Sequence, residues 1–172
     1  YKRQRETLAE IAVAAREWAK LNPNAYKKES LSINDVLSSK PICSPLSKLD
    51  CCLVTDGGGA IVVSNSERKE DFKKTPIFIK GIGESSSHSS INYMEDMAKL
   101  DVAIKSSNTA YEMANLTSNE IDFAMIYDSF TITVLMTLEA VGFCKLGEGK
   151  DFIKNGNLGP NGSFPINTNG GG

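Results

Sequence analysis

Histidine is almost missing from this chain: its 172 residues contain one, His88. The four cysteines, Cys43, Cys51, Cys52 and Cys144, include no CxxC pair. For want of histidines and of ligand spacing, a metal site is not expected. Neither sign of charge dominates, since 19 Lys and Arg face 21 Asp and Glu, for a net of -2. No whole-chain field therefore exists to gather nucleic acid or an anionic membrane surface. Long apolar runs are missing as well, none approaching the roughly 20 residues that span a bilayer. The opening "YKRQRE" is polar and is no signal peptide. The adjacent Cys51-Cys52 lies in a strand-like run and suits reduced, buried thiols better than a disulfide frame. These absences lead to the expectation of a soluble, cytoplasmic chain with no nucleic-acid partner and no membrane span.

What is present alternates between helical and strand-like segments. Leu8, Ile11, Ala12, Ala15, Trp18 and Ala19 recur at helical spacing and predict a long amphipathic helix ended by Asn22-Pro23. Ser32-Ile33-Asn34-Asp35 reads as a capping box opening a brief helix, and Thr117-Ser118-Asn119-Glu120 as another opening a short turn. "CCLVTDGGGAIVVS" holds two β-rich runs, 51–55 and 60–64, around three glycines. Either they form a hairpin, or one bent strand passes close to other backbone. "SERKEDFKK" reads as a solvated connection, and "PIFIKGIG" as a strand running into a glycine turn. A helical face runs from Met94 to Ala114, with Asn115 suited to a left-handed C-terminal position. A strand at 123–127 then hands over to a helix from Thr131 to Val141, closed by Gly142. The class is α/β. In such sheets functional residues collect where strands end and helices begin, which is where Tyr127-Asp128-Ser129-Phe130 falls. The chain starts in mid-helix without an N-cap and stops on "NTNGGG", so it reads as part of a longer domain.

Three pieces occur in a telling order: Asp56-Gly57-Gly58-Gly59-Ala60 with Glu67-Arg68, then "IYDSFTITVLMTLEAVGFCKLGEGKDFI", then "PINTNGGG". Together they resemble the thiolase superfamily, in particular its branch of non-specific lipid-transfer-protein (sterol-carrier-protein) thiolases and acetyl-CoA acetyltransferase-like enzymes. The first is similar to the family's "DGAAA…SAERA". The second resembles the segment carrying Asn-Glu-Ala-Phe in most thiolases and His-Asp-Cys-Phe in the lipid-transfer branch. The third resembles the Asn-x-Asn/His-Gly-Gly that precedes the family's Gly-His-Pro.

The resemblance implies a thiolase-like α-β-α-β-α stack of mixed sheets, incomplete in this chain, and the usual homodimer. Residues 1–70 would end the first half, and 71–172 would form a second half truncated before Gly-His-Pro. It also implies a coenzyme A thioester as substrate, with no covalently bound cofactor. The family's nucleophilic cysteine would precede residue 1 and its Gly-His-Pro histidine would follow Gly172, so these residues alone are expected to be catalytically silent.

Within that register Tyr127 occupies the family's Asn or His position, which helps build an oxyanion hole. One tyrosine hydroxyl can donate a hydrogen bond or move a proton, whereas loss of an oxyanion donor typically costs about 100- to 1,000-fold in rate. The string Tyr-Asp-Ser-Phe is similar to that of aldolases that cleave β-hydroxyacyl-CoA side chains of steroids and commonly need a small OB-fold, zinc-ribbon partner. A strand-end tyrosine that merely packs its ring is the plainer alternative. Asp128 could orient a neighbouring donor or cap the following helix. Ser129 reads as small for packing and Phe130 as core. Asn167, Asn169, Gly170 and Gly171 would form a tight turn presenting the family's histidine, or else an ordinary Gly/Asn-rich loop. His88 lies in a loop that carries histidines in relatives near the acyl-CoA entrance, although a solvated histidine is the simpler reading. Gly81 and Gly83 lack the third glycine of a dinucleotide fingerprint.

Three functions follow from the resemblance. The first is acyl transfer or thiolysis at an acyl-CoA carbon–carbon bond, and the second is retro-aldol cleavage of a β-hydroxyacyl-CoA. The third is a degenerate thiolase-like protein that binds acyl chains or a partner without catalysis.

Overall fold

The computed structural model describes residues 2–171, without the side chains of Lys2 and Arg3; Tyr1 and Gly172, the last glycine of "NTNGGG", lie outside the described residues. The apolar stripe at the start of the chain forms helix α1, Lys2–Leu21, which buries Leu8, Ala9, Ile11, Ala14 and Ala19. It stops where expected, with the Asn22 N–H returning to the Ala19 carbonyl. Ser32 and Asp35 exchange the two bonds of a capping box and open α2, Ile33–Ser38. Strands β1, Pro41–Cys43, and β2, Leu46–Ser47, pair antiparallel.

Later in the chain, α3 covers Asp101–Ala114 and ends at Asn115 with φ 53°, the left-handed turn that asparagine tolerates. The capping box at Thr117 and Glu120 forms as read from the sequence. Helix α4 spans Thr131–Ala140 and is followed by Gly142 at φ 83°. A short α5, Gly149–Ile153, precedes the turn-rich tail.

The sequence "TITVLMTLEA" of α4 is apolar on nearly all sides, and the core gathers around it. Val134 and Leu138 of α4 pack with Leu8, Ile11 and Ala14 of α1, Ile153 of α5, and Leu158, Phe164 and Ile166 of the tail. The Phe164 ring also packs against Phe143, tilted, and Phe152, edge-on, at centroid distances of 4.5 and 5.5 Å. Two long-range bonds lace this unit. Trp18 Nε1 donates to the Leu158 carbonyl at 3.0 Å, and the Tyr111 hydroxyl on α3 donates to the Val141 carbonyl at 2.9 Å.

The strand expectations fare differently. Among the described residues the one sheet is the β1–β2 pair, together with two isolated bridges. Beyond Cys52, residues 53–64 form neither the expected hairpin nor a bent strand under other backbone. Their side chains stand in solvent, with Ile61 90% exposed, and a Cβ added at Gly57, Gly58 or Gly59 would meet nothing. "PIFIK" is likewise unpaired, with Ile77 96% exposed. β-branched composition marks a segment that fits a pleated surface, but a ladder needs a second strand.

Gly81 and Gly83 do have a packing role. A Cβ on either would run into a carbonyl oxygen of α3, that of Ala110 or Ser106 respectively, so the pair lets the thread lie directly on the helix. The cysteines are less enclosed than expected: Cys43 is exposed and Cys51, Cys52 and Cys144 are half-buried.

Replacing Leu138, fully buried at the centre of this core, by alanine should cost about 2–5 kcal/mol of unfolding free energy. Ile61→Ala should change it by less than about 0.5 kcal/mol. Urea titration of the two variants checks the contrast.

Candidate functional site

Residues 123–128 keep the period of two that a strand would have. Phe123, Met125 and Tyr127 point outward and are exposed, whereas Ala124 and Ile126 pack against the core. The segment is held on one side by the tail. The Ala124 N–H donates to the Pro165 carbonyl at 3.1 Å, and the Asn167 N–H returns to the Ala124 carbonyl at 3.0 Å. Ala124 and Ile166 thus form a parallel bridge. One step on, the side chain of Asn167 replaces backbone: its Oδ1 accepts the Ile126 N–H at 2.7 Å. Asn167 is 4% exposed and sits at φ 47°, a left-handed conformation for which asparagine is suited.

On the other side the rim of the segment, residues 127–130, meets the stretch following β2. Cys51 and Phe130 form an antiparallel bridge, and the Cys52 N–H donates to the Ser129 carbonyl at 3.0 Å. Tyr127 is 77% exposed at the outward end of this clamped segment. Asp128 faces inward and lies against Gly171, where any Cβ would collide with its Oδ2. The N-cap position of α4 is Phe130, which makes no side-chain capping bond. Nor is Phe130 a core residue, being 43% exposed. Ser129 Oγ lies 3.3 Å from Thr133 Oγ1.

The turn 167–171 is seated on the end of α1. The Gly170 N–H closes onto the Asn167 carbonyl at 2.9 Å, and Asn169 Oδ1 accepts the Gly171 N–H at 3.3 Å. A Cβ on Gly170, whose φ is 108°, would come 2.7 Å from Ala19 Cα, and one on Gly171 would meet Ala15 Cβ at 3.3 Å. Asn22 Nδ2 donates to the Asn169 carbonyl at 2.7 Å. Asp128, Asn167, Asn169, Gly170 and Gly171 therefore form one feature beside Tyr127. His88 has a local partner, with Nδ1 2.6 Å from the hydroxyl of Ser87.

Asn22 and the small residues Ala15 and Ala19 were not singled out as site residues. The signal was available in the spacing of two alanines one turn apart on the face that ends at Asn22. Two clefts, of about 440 and 760 Å3, lie around Tyr111 and Cys144, and neither takes in a residue of the 127–130 rim.

A family model described as "Thiolase C-terminal domain-like" matches residues 83–172, just over half of the chain. The chain belongs to the thiolase superfamily. It is 29% identical to an acetyl-CoA acetyltransferase of Methanothermobacter thermautotrophicus, over 99% of this chain and 45% of that protein. With the steroid side-chain-cleaving aldolase of Thermomonospora curvata the identity is 36%, over 96% of this chain and 44% of the relative. A solved structure described as "Ltp2-ChsH2(DUF35) aldolase" superposes with a TM-score of 0.90 at 35% identity, over 97% of this chain and 45% of that one. The fold is thus thiolase-like α/β, and the chain spans under half the length of these relatives.

Neither Cys51 nor Cys144 has the setting of a nucleophile. Burial, then Glu139 and Glu148, push the Cys144 thiol up to about 11. Burial, with Asp50 and Cys52 beside it, raises the Cys51 thiol as well. Among the described residues no group of three or more His, Cys, Asp or Glu could hold a metal ion.

Two measurements test this description. Asn167→Ala should cost about 1–3 kcal/mol through the orphaned Ile126 N–H, with about 1–2 kcal/mol more for alanine at a left-handed φ. Asn167→Gly should lose only the first part, as read by denaturant unfolding. At pH 8, iodoacetamide should label the exposed Cys43 well before Cys144, whose thiolate fraction there is about one in a thousand. Mass spectrometry of the labelled peptides gives the order.

Proposed function

We propose that the full-length protein is an acyl-CoA enzyme that breaks a carbon–carbon bond by retro-aldol cleavage, with the outward face of Tyr127 as its acid/base group. The single observation behind this reading is Tyr127 itself. A hydroxyl-bearing ring stands exposed at the end of a segment fixed from both sides, where the resemblance puts Asn or His in thiolases. Likeness to an aldolase at 36% identity and to an aldolase structure at 35% supports it.

In such a cleavage the β-hydroxyl proton leaves and its O–H electron pair becomes the new carbonyl π bond. The Cα–Cβ bond breaks, and its pair moves into the thioester as an enolate. The α-carbon then takes up a proton. The products are a shorter acyl-CoA and an aldehyde or ketone, and no thiol is consumed. Tyr127 Oη is the group that passes the proton. Asp128 and the turn from Asn167 to Gly171 position it and present the family's histidine. His88 is a candidate for the loop at the acyl-CoA entrance.

Further parts of this reading are a homodimer, a cytoplasmic location, and residues 1–70 and 71–172 assigned to the two thiolase halves. A small OB-fold, zinc-ribbon partner, the kind that the resemblance implies, also belongs to it; the aldolase structure's name pairs Ltp2 with ChsH2(DUF35). The second reading, acyl transfer or thiolysis, draws on the similarity to an acetyl-CoA acetyltransferase over 99% of the chain.

Added coenzyme A separates the two. The full-length protein should release a carbonyl compound from β-hydroxyacyl-CoA thioesters without free CoA. Strict dependence on CoA, with two acyl-CoA products, would establish thiolysis instead. Tyr127→Phe should lower kcat by about 100- to 10,000-fold, and a variant with full activity would refute the role given to its hydroxyl.

A further inference from the structure

Four polar residues are buried among the described ones: Ser47, Asp50, Thr131 and Asn167. Asn167 belongs to the turn already described. The other three form a single chain of hydrogen bonds beginning on α1. Arg5 Nη2 donates to Ser47 Oγ at 2.7 Å and to the Leu37 carbonyl at 3.2 Å. The Ser47 N–H donates to Asp50 Oδ2 at 2.8 Å, and Thr131 Oγ1 donates to Asp50 Oδ1 at 3.0 Å.

We propose that Asp50 is a positioning residue for the rim, acting through Thr131. The plainer account is that Asp50 closes the capping box of its own short turn, Lys48–Asp50. That role engages Oδ2 at Ser47. The other oxygen reaches a hydroxyl 81 residues away, on the residue directly after Phe130. Asp50 is 4% exposed and Thr131 6%, so this is a desolvated, charge-assisted bond rather than a surface contact.

The carboxylate also stands at the first turn of α4, a helix whose own N-cap residue supplies no side-chain acceptor. Negative charge is favoured at such a terminus. The two residues after Asp50 then continue the attachment, Cys51 bridging Phe130 and the Cys52 N–H bonding the Ser129 carbonyl. One carboxylate thus sets where the rim lies relative to α1, and the backbone pairs beside it carry that position to Ser129 and Phe130. Tyr127 and Asp128 begin where the clamp ends.

The catalytic part of this proposal rests on the acyl-CoA reading of the rim, whereas the positioning part does not. The test uses the full-length protein with Thr131→Val, which removes the hydroxyl at nearly constant volume and leaves the local cap of Asp50 intact. Thr131→Ser is the rescue. Two quantities are read: amide hydrogen exchange at Cys52, and kcat and KM on whichever β-hydroxyacyl-CoA gives turnover in the cleavage assay.

In Thr131→Val, exchange at Cys52 should quicken about tenfold. Its kcat should fall about 10- to 100-fold through misplacement of the rim, with KM held within about twofold. Thr131→Ser should restore both. Unchanged exchange in Thr131→Val overturns the proposal. So does unchanged kcat in a protein whose exchange has quickened, or a Thr131→Ser variant that behaves like Thr131→Val. If no thioester is turned over by the unsubstituted protein, the acyl-CoA reading fails, and the exchange measurement alone decides the positioning role.

Discussion

A polar group taken out of water has to find a partner inside the protein, and the region around the rim is organised by that requirement. Asn167 and Asp50 are buried beside a core built from α1, α4, α5 and the tail. Each meets a donor on or next to the rim segment, Asn167 at Ile126 and Asp50 at Thr131. Every buried side-chain nitrogen and oxygen among the described residues has a hydrogen-bond partner. In a low-dielectric interior, losing one partner strands the other, so these bonds fix geometry more strictly than apolar contact can. The segment is pinned from beneath and from both edges, while its outward face stays open to solvent.

That division of labour suits acid/base chemistry. A proton-transfer group needs a fixed backbone and a reachable tip. Tyr127 has both, because Ala124 and Ile126 anchor the inner face while Phe123, Met125 and Tyr127 line the outer one. The turn beside it is tight because only glycine fits against Ala19 and Asp128 at positions 170 and 171. Small residues on α1, a turn rich in glycine and asparagine, and an inward aspartate are complementary parts of one packing solution.

The helices were readable because their signals are local. Capping boxes at Ser32 and Thr117, the left-handed Asn115 and the closing Gly142 each act within a few residues of their own position. The strands were not, since β pairing joins residues far apart and the pattern of one segment does not contain its partner. Residues 51–64 carry an unambiguous β composition, yet only Cys51 and Cys52 make backbone pairs with the rim. The tight turn at 167–171 was legible from its asparagines and glycines. The ties that hold this turn and the rim were less so, because Asn22 and Asp50 act across 147 and 81 residues. The glycine pair at 81 and 83 has a motif-like spacing whose cause is close approach to α3.

The long reach of those ties also bears on the order in which the chain gains structure. Helices α1 and α4 can form early from neighbouring residues, but each clamp on 124–130 has first to close a loop of some 40 to 80 residues. Chain-closure entropy has to be overcome before those bonds contribute anything. The segment 124–130 is thereby the part assembled last and released first, so its tertiary ties should be lost ahead of the helices whenever the fold is stressed.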